Sequence, residues 1–306
     1  MSDKSGDWLV MRCHDPAMDE VVGFGLGWRP ELAAVLAARP GLGFVEVIAE
    51  NIPVGPTTGP TPTDLRVPVV AHGIGLGLGG AERPDPARLR LLAEVAAAVR
   101  APLVSEHVAF VRAGGLEAGH LMPIPYSRDA LAVLVANTRI AQAELPVPLA
   151  LENPGALARW PDDELAPGDF LTELAERTGA ALLVDVSNFY GDTVNHGLDA
   201  EATFDRLPWE RVAYLHVAGG LTHDGRYHDT HLHPVGPHQL ELLAEAVRRM
   251  PAGRAAYLLE RDGNYPPPAR FHAECDRVQA AATGSAPSVA LDAGQADSQL
   301  PVIRGA

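Results

Sequence analysis

The chain has 306 residues, of which 47% are hydrophobic and 21% charged, with a mean hydropathy of +0.01. A sequence this apolar buries enough surface to fold, which excludes a wholly disordered protein. Acidic residues outnumber basic ones by 39 to 24, for a formal net charge of −15; because nucleic-acid binders carry basic faces, neither DNA nor RNA is expected as a partner.

Short apolar runs rich in branched residues recur along the chain, and helix-like segments separate most of them. Eight runs are predicted as strands: Val21–Gly25, Phe44–Ala49, Val67–Ala71, Leu103–Ser105, Leu149–Leu151, Ala181–Val184, Ala213–Leu215 and Ala256–Leu259. Six segments are predicted as helices: Glu31–Ala38, Pro86–Arg100, Arg128–Ala143, Pro167–Arg177, Pro237–Arg249 and Pro267–Ala282. Four of these begin with a proline, and Asp85 precedes Pro86, which are signals of helix starts.

This alternation predicts an α/β fold, a (β/α)8 barrel of the TIM type in one domain, because eight strands and their helices span roughly 280 residues. A doubly wound sheet is the competing fold. Gly75, Gly77 and Gly80 match the GxGxxG spacing of a dinucleotide-binding loop, but no helix is predicted directly after Gly80 and no acidic residue stands at the expected distance. The sequence therefore favours the barrel.

The barrel domain is expected over residues 21–282, after an N-terminal extension of residues 1–20. Residues 283–306 form a polar, aperiodic tail rich in small residues, which is typical of disorder. The first residues lack a basic segment followed by an apolar one, and no apolar run is long enough for a membrane span. We therefore expect a cytoplasmic protein with no membrane partner.

Familiar motifs of other enzyme classes are missing from the sequence. Cys13 and Cys275 are the two cysteines and do not form a CxxC pair, which excludes a zinc ribbon and disfavours a disulfide framework. Nothing resembles GxSxG, a P-loop or HExxH, so serine hydrolases, NTPases and zincins have no support. The unusual feature is histidine, since seven of the twelve fall between His196 and His238.

Seven predicted strands in succession carry His, Asp or Glu at or near their carboxyl ends. These residues are Glu50, His72, Glu106 with His107, Glu152, Asp185 with Asn188, His216 and Glu260. Any one of them alone is more typical of a hydrogen-bonded loop or core position. Because the carboxyl ends of barrel strands share one face, where active sites lie, the set as a whole indicates a site.

Crowded carboxylates repel one another unless they are protonated or bridged by cations, so a metal centre is expected. Ten candidate ligands are counted: His72, His107, Glu152, Asp185, Asn188, His196, His216, Asp229, His231 and Glu260. One six-coordinate ion cannot use ten side chains, which implies two or three ions. Imidazole disfavours magnesium and calcium and suits iron, zinc or copper and, less strictly, manganese. Mixed histidine and carboxylate ligands are typical of non-haem iron(II) oxygen chemistry.

The remaining histidines are treated separately. His233 is left undecided between the centre and the surface. The others are expected at the surface or behind the ligands: His14, His120, His223, His228, His238 and His272.

With these residues placed, the chain resembles the DUF692 family, also called the multinuclear non-haem iron-dependent oxidases, which includes the methanobactin biosynthesis oxidase. The resemblance covers about residues 22–270. The matching segments, in chain order, are Gly25-Leu26-Gly27-Trp28, Val47-Ile48-Ala49-Glu50-Asn51, His72-Gly73-Ile74-Gly75-Leu76-Gly77-Leu78-Gly79, Ser105-Glu106-His107, Met122-Pro123-Ile124-Pro125-Tyr126, Leu151-Glu152-Asn153-Pro154, Leu183-Val184-Asp185-Val186-Ser187-Asn188, Asn195-His196-Gly197, His216-Val217-Ala218-Gly219, Asp229-Thr230-His231 and Glu260-Arg261-Asp262.

The resemblance implies two or three iron ions and O2 as co-substrate. It further implies oxidation of a cysteine, or another residue, in a ribosomally synthesised precursor peptide, with a small partner protein recruiting the peptide's leader. The family's ligand positions fall on the ten candidates, and His196 rests mainly on its motif. Asp185, Glu260 and His216 are assigned as catalytic. Residues expected to orient the ligands through hydrogen bonds are Asn51, Glu106, Asn153 and Asp262.

The chain departs from the family pattern at three positions. Gly220 stands where the family often has histidine, Arg261 where tryptophan is usual, and Gly77 where serine is common. None of the three is a candidate ligand. They leave the substrate and the reaction type open, because family members do different chemistry on one metal core.

Other functions on the same barrel remain open. A divalent-metal hydrolase resembling an endonuclease, or a sugar isomerase, would also place His, Asp and Glu at strand ends. A sugar isomerase typically uses a catalytic lysine, whereas Lys4 is the only lysine of this chain. A metal-binding protein without turnover is disfavoured, because nearly every strand supplies a ligand.

Overall fold

The computed structural model describes residues 16–155 and 157–285. Its twelve strands are β1 (Gly23–Gly27), β2 (Phe44–Ile48), β3 (Val69–Gly73), β4 (Val104–His107), β5 (Ala109–Ala113), β6 (Leu116–Pro123), β7 (Leu149–Glu152), β8 (Ala181–Asp185), β9 (Val212–Ala218), β10 (Leu221–His223), β11 (Arg226–His228) and β12 (Ala256–Glu260). Eight of them close into a parallel barrel in the order β1-β2-β3-β4-β7-β8-β9-β12. The predicted TIM-type fold is therefore confirmed.

Helices cover the outside of the barrel. They are α1 (Ala33–Ala37), α2 (Pro86–Val99), α3 (Arg128–Glu144), α4 (Pro167–Thr178), α5 (Val186–His196), α6 (Ala200–Phe204), α7 (Pro237–Arg249) and α8 (Pro268–Thr283). The predicted start of α2 is confirmed, because the Asp85 side chain accepts a hydrogen bond from the Ala87 amide. Within the described ranges, every helix is too short or too polar to cross a lipid bilayer.

Several elements were not predicted from the sequence. The hairpins β5–β6 and β10–β11 are antiparallel and stand outside the barrel. Strand β6 is mostly exposed and contains Gly119 and Pro123, so it lacks the sustained apolar alternation that marks a strand. Helices α5 and α6 were also missed. The proposed extension and tail fall largely outside the described residues, and so does Cys13.

The barrel interior is built in layers. At its amino-terminal end the inward positions are apolar, and Phe44, Val70, Leu183 and Leu258 pack there in one cluster. In β1 the inward positions are glycines; a Cβ at Gly25 would lie 2.5 Å from the Phe44 ring, so only glycine fits. Side chains two residues apart share a strand face, so the next inward layer lies directly above this cluster. That layer carries the polar residues.

Candidate metal centre

The upper inward layer holds six of the ten candidate ligands. Each is buried, with at most 7% of its surface exposed, and each lies two residues beyond an inward residue of the layer below. The six are His72, His107, Glu152, Asp185, His216 and Glu260. The strand pattern therefore places side chains from six strands on one rim.

The ligand atoms form four overlapping groups, within each of which they lie no more than 4.8 Å apart. The groups are His72–His107–Glu152, Glu152–Asp185–His216, Asp185–Asp229–His231 and His231–Glu260–Asp262. Glu152 joins the first group to the second, and Asp185 joins the second to the third. The first three groups consequently form one continuous row.

Distances within the row, and from the row to Glu260, match those between ligands of a common ion. Glu152 Oε2 lies 3.3 Å from His107 Nε2 and 3.5 Å from His72 Nε2. His216 Nδ1 lies 3.5 Å from Glu152 Oε1 and 3.3 Å from Glu260 Oε2. Two atoms that each bind one ion at about 2.1 Å in a tetrahedral arrangement lie roughly 3.4 Å apart.

Four buried polar atoms of the row have no hydrogen-bond partner: Glu152 Oε2, Asp185 Oδ2, His216 Nδ1 and Asp229 Oδ1. An unsatisfied buried polar atom costs about 1–3 kcal/mol, and such atoms are rare in folded proteins. Metal ions bound in the first three groups would satisfy all four. The donor set and its unpartnered atoms therefore fit metal ions.

A loop after β11 brings Asp229 and His231 to the rim. His231 Nε2 lies 2.9 Å from Asp229 Oδ2, and its Nδ1 lies 3.1 Å from Asp262 Oδ2. The His231 backbone has a φ of 55°, in the left-handed region, which costs roughly 1 kcal/mol for a residue with a Cβ. These contacts hold His231 in that conformation, and such strain is typical of functional sites.

Helix α5 begins at the rim and carries two further candidate ligands, Asn188 near its start and His196 at its end. Asp185 Oδ1 caps the helix by accepting from the Ser187 and Asn188 amides. The Asn188 side-chain nitrogen donates to the Asn153 carbonyl, so its amide oxygen is the atom that could serve as a ligand. That oxygen would lie 2.2 Å from a Cβ at position 155, so Gly155 is required.

His196 is the last residue of α5 and belongs to none of the four groups found in the described residues. It follows Asn188 by eight residues, which is roughly 12 Å along a helix axis. The structure therefore does not bring His196 into the row, although its motif suggested a ligand. An unpredicted helix explains the difference.

Clustered charges shift the pKa of His107 and Glu152 in opposite directions. Burial alone would lower the pKa of His107, but the carboxylates of Glu152 and Glu106 raise it to about 9. Burial alone would raise the pKa of Glu152, but the imidazoles of His107 and His216 lower it to about 2. Without metal, protonated histidines therefore balance the carboxylates.

The pKa of the Asp185 carboxyl is raised, whereas that of Glu152 is lowered. Burial, and then the charges of Asp229 and Glu152, raise the pKa of Asp185 to about 7. Burial would lower the pKa of His216, yet nearby carboxylates, Glu46 first, raise it well above its usual value. The row thus holds exchangeable protons that a cation would displace.

Arg29 occupies the position beside the fourth group. It is 8% exposed, and its Nη2 lies 3.2 Å from Glu260 Oε1 while its Nε donates to Asp262 Oδ1 at 3.1 Å. Burial would lower the pKa of Arg29, but the carboxylates of Glu260 and Asp262 raise it. A fixed positive charge here disfavours a further cation, so the geometry supports three metal positions rather than four.

Three buried polar residues lie beneath the ligands and were not predicted from the sequence. Glu46 Oε2 contacts His216 Nε2 at 3.1 Å and accepts from the Tyr214 hydroxyl. Ser105 Oγ lies 2.7 Å from the Tyr214 hydroxyl and 2.8 Å from His72 Nδ1. A glutamate in the middle of the apolar run Phe44–Ile48 is the signal that could have revealed this layer.

The residues expected to orient the ligands are placed unevenly. Asn153 exchanges two hydrogen bonds with the Asp185 backbone, and Glu106 accepts from the His107 amide. Asp262 contacts His231. Glu50 and Asn51, by contrast, are exposed in a 3-10 helix after β2, because the chain leaves the barrel after Ile48. Strand β2 contributes Glu46 instead.

Comparison with known proteins places this fold and rim in a family. Residues 23–283 match the family model described as "RiPP precursor modification enzyme MbnB/TglH/ChrH", where RiPP denotes a ribosomally synthesised and post-translationally modified peptide. The chain belongs to this family. The resemblance identified from the sequence motifs is thereby confirmed.

Several bacteria have proteins that are similar in sequence to this chain. A UPF0276 protein of Streptomyces avermitilis is 50% identical over 272 residues, or 84% of this chain and 54% of the relative, so the chain spans about half of that protein's length. A UPF0276 protein of Caulobacter vibrioides is 36% identical over 266 residues, 84% of this chain and 93% of the relative.

Solved structures of lower identity show the same fold. A 3-keto-D-glucoside 4-epimerase from E. coli aligns with a TM-score of 0.51 at 15% identity, covering 86% of this chain and 99% of the epimerase. A D-psicose 3-epimerase from Clostridium cellulolyticum H10 aligns with a TM-score of 0.51 at 11% identity, covering 86% and 98%. At these identities the likeness establishes the barrel alone.

Two departures from the family pattern have a structural cause. A Cβ at Gly220 would lie 2.2 Å from the His228 carbonyl oxygen and 2.6 Å from the Tyr227 ring, so the β10–β11 hairpin leaves no space for a histidine there. Arg261 is buried away from the rim, where it lies 3.6 Å from Glu274. Neither position supplies a ligand atom to the row.

A cavity of about 510 Å³ lies above the row. Its wall includes five of the candidate ligands: His107, Glu152, Asn188, Asp229 and His231. The entrance of the cavity is formed by residues of the two hairpins and of the loop after β7: His120, Leu121, Leu157, Tyr227 and His228. This volume is within the usual range for a small-molecule site, so it accommodates the side chain of a peptide.

Proposed function

We propose that this protein is an iron-dependent oxidase that uses O2 to modify a residue, cysteine by preference, of a ribosomally made precursor peptide. The observation that carries the proposal is the continuous row of ligand groups, joined by Glu152 and Asp185, beneath an open cavity. Membership of a family of RiPP precursor modification enzymes supports the peptide as substrate. The reaction would take place in the cytoplasm, where such peptides are made.

The ligand groups suggest where each ion would bind. His72, His107 and Glu152 would hold one, and Glu152, Asp185, His216 and Glu260 a second. Asp185, Asp229 and His231, with Asn188 beside them, would hold a third. Iron suits this mixture of imidazole and carboxylate, and when bound it would supply O2 activation and would acidify a substrate thiol.

The middle of the row is the proposed reaction centre, with Asp185, His216 and Glu260 as its catalytic residues. Asp185 and His216 have no exposed surface, and Glu260 is 5% exposed. Arg29 holds Glu260 Oε1, which directs Oε2 towards His216 and His231. These residues keep bulk water from the centre and fix the ligand geometry before substrate arrives.

The hairpins would position the peptide. His120 and Leu121 on one side and Tyr227 and His228 on the other border the cavity, so a peptide side chain would enter between them. The cavity is too small for a whole precursor, which leaves the leader outside. A small partner protein that recruits the leader would therefore act outside the cavity.

The proposal is tested by loading the protein with iron(II) without oxygen, measuring the metal content, and then adding O2 and the peptide. The peptide would be the product of a short cysteine-containing reading frame, sought beside the gene, and mass spectrometry reads its modification. We expect more than one iron per chain, O2 consumption, and a mass change that Glu152→Ala abolishes. Glu241→Ala, on an exposed face of α7, is the matched control.

The same assay separates the oxidase from the hydrolase alternative. A hydrolase would act on its substrate without O2 and with zinc in place of iron, since bound zinc generates hydroxide at neutral pH. Turnover under those conditions, or at most one ion per chain after iron loading, would overturn the proposed oxidase.

A further inference from the structure

The two histidines that face Glu152 from β3 and β9 are joined beneath the rim by a chain of buried hydrogen bonds. His72 Nδ1 lies 2.8 Å from Ser105 Oγ, which lies 2.7 Å from the Tyr214 hydroxyl. The Tyr214 hydroxyl donates to Glu46 Oε2, and that oxygen lies 3.1 Å from His216 Nε2. None of the five residues is more than 2% exposed.

The Glu46 carboxylate determines which group donates and which accepts in every hydrogen bond of this buried network. Glu46 Oε2 is an acceptor, so both Tyr214 and His216 Nε2 must donate to it. The Tyr214 hydroxyl has a single proton, and it donates that proton to Glu46 Oε2. Because Tyr214 donates its proton to Glu46, the Tyr214 oxygen must accept from the Ser105 hydroxyl. The Ser105 oxygen in turn accepts from His72 Nδ1.

We infer that Glu46, Tyr214 and Ser105 are positioning residues that fix which nitrogen of His72 and of His216 binds metal. His72 carries its proton on Nδ1 and presents Nε2, whereas His216 carries its proton on Nε2 and presents Nδ1. The inference rests on the metal centre of the proposed function. It concerns residues that contact neither the substrate cavity nor the ions.

The rim agrees with this assignment. His72 Nε2 is the nitrogen that lies 3.5 Å from Glu152 Oε2. His216 Nδ1 is buried without a hydrogen-bond partner and lies between Glu152 and Glu260. The imidazole nitrogens assigned to metal therefore face the row, and the protonated nitrogens face the buried hydrogen-bond network. Partners of this kind, placed behind the ligands, usually change metal affinity 10–100-fold when removed.

His107 provides an internal control. It presents Nε2 to Glu152, but its Nδ1 lies 3.3 Å from the Gly73 carbonyl oxygen rather than against the chain. A change in Ser105 or Tyr214 should therefore alter His72 and leave the tautomer of His107 unchanged. General damage to the fold would disturb both.

The test uses zinc as a diamagnetic probe in protein labelled with 15N-histidine. Long-range 1H–15N spectra identify the protonated nitrogen of each imidazole, with assignments taken from single His→Gln variants. We expect wild-type His72 to be protonated at Nδ1 and His216 at Nε2. Ser105→Ala and Tyr214→Phe should remove the fixed pattern of His72 and weaken zinc binding at its group about tenfold. Ser105→Thr, which keeps the hydroxyl, should restore both.

Each other outcome has one meaning. If zinc does not bind the wild-type protein, the proposed metal centre fails and this inference fails with it. If zinc binds but His72 is protonated at Nε2, or His216 at Nδ1, the inference fails while the metal centre stands. The same holds if Ser105→Ala leaves the His72 spectrum and the zinc affinity unchanged. A loss that Ser105→Thr does not restore would also overturn it.

Discussion

Glu152 Oε2 lies 3.3 Å from His107 Nε2, and the same carboxylate belongs to the two neighbouring ligand groups of the row. We therefore expect Glu152→Ala to lower the metal content by two ions per chain, whereas His72→Ala should lower it by one. Inductively coupled plasma mass spectrometry after anaerobic iron loading measures the difference. Equal losses in the two variants would mean that Glu152 does not bridge the groups.

Replacing Asp185 by asparagine should stabilise the metal-free protein at neutral and alkaline pH. The pKa of Asp185 rises from 3.8 to about 7 on folding, so the stability that the protonated acid contributes is lost as the pH rises through 7. Asparagine keeps the oxygen that caps α5 and never ionises. At pH 8 the variant should be more stable by up to about 4 kcal/mol.

Urea unfolding of the metal-free proteins between pH 5 and 8 provides the check. The stability difference between Asp185→Asn and wild type should grow with pH, while Asp162→Asn, at an exposed position, should show no such trend. A difference that shrinks as the pH rises would contradict the assignment. The same Asp185 variant should lose metal, because an amide is a weaker ligand than a carboxylate.

Metal binding should release protons and weaken in acid. Because the carboxylates around His107 raise its pKa to about 9, a metal must displace a proton from this imidazole at neutral pH. Each displaced proton lowers the apparent affinity about tenfold per pH unit below that pKa. Zinc titrations by calorimetry, in buffers of different ionisation enthalpy, count the protons. An affinity independent of pH from 6 to 8 would refute protonated histidines in the metal-free form.

Removing the charge of Arg29 should open the fourth ligand group. Arg29→Gln leaves Glu260 and Asp262 without their cation, and breaking a buried ion pair costs about 3–5 kcal/mol. We expect the metal-free variant to be destabilised and the loaded variant to bind an additional ion at His231, Glu260 and Asp262. Metal analysis and thermal unfolding with and without zinc measure both. An unchanged metal content would show that Arg29 does not limit the number of sites.

The sequence predicted the barrel well, because eight apolar runs separated by turns leave few other arrangements for an α/β chain. Glu152, Asp185 and Glu260 were predicted as ligands since each closes such a run, and the structure brings them together. Glu50 also follows a run but lies outside the barrel, because a 3-10 helix begins before it.

What the sequence could not predict depends on strand faces and on helix length. Glu46, Ser105 and Tyr214 point inward with the ligands, yet that requires the register of each strand to be known to one residue. His196 lies in none of the ligand groups of the described residues because α5 carries it away from the rim, and α5 was missed because it contains weak helix formers such as Asn188 and Gly191. The β5–β6 hairpin was missed since β6 is exposed and contains Gly119 and Pro123.

The rim is assembled from β3 through β12, with His72 early in the chain and Glu260 near the end of the described part. On the ribosome, a nascent chain that ends before Glu260 lacks the Glu260 carboxylate. It also lacks the complete strand β12, which closes the barrel against β1. The complete rim therefore forms only once β12 has been made, whereas the first group, His72–His107–Glu152, is already present by residue 152. Premature termination between Glu152 and Glu260 would leave that first group without the closed barrel that holds its side chains in place.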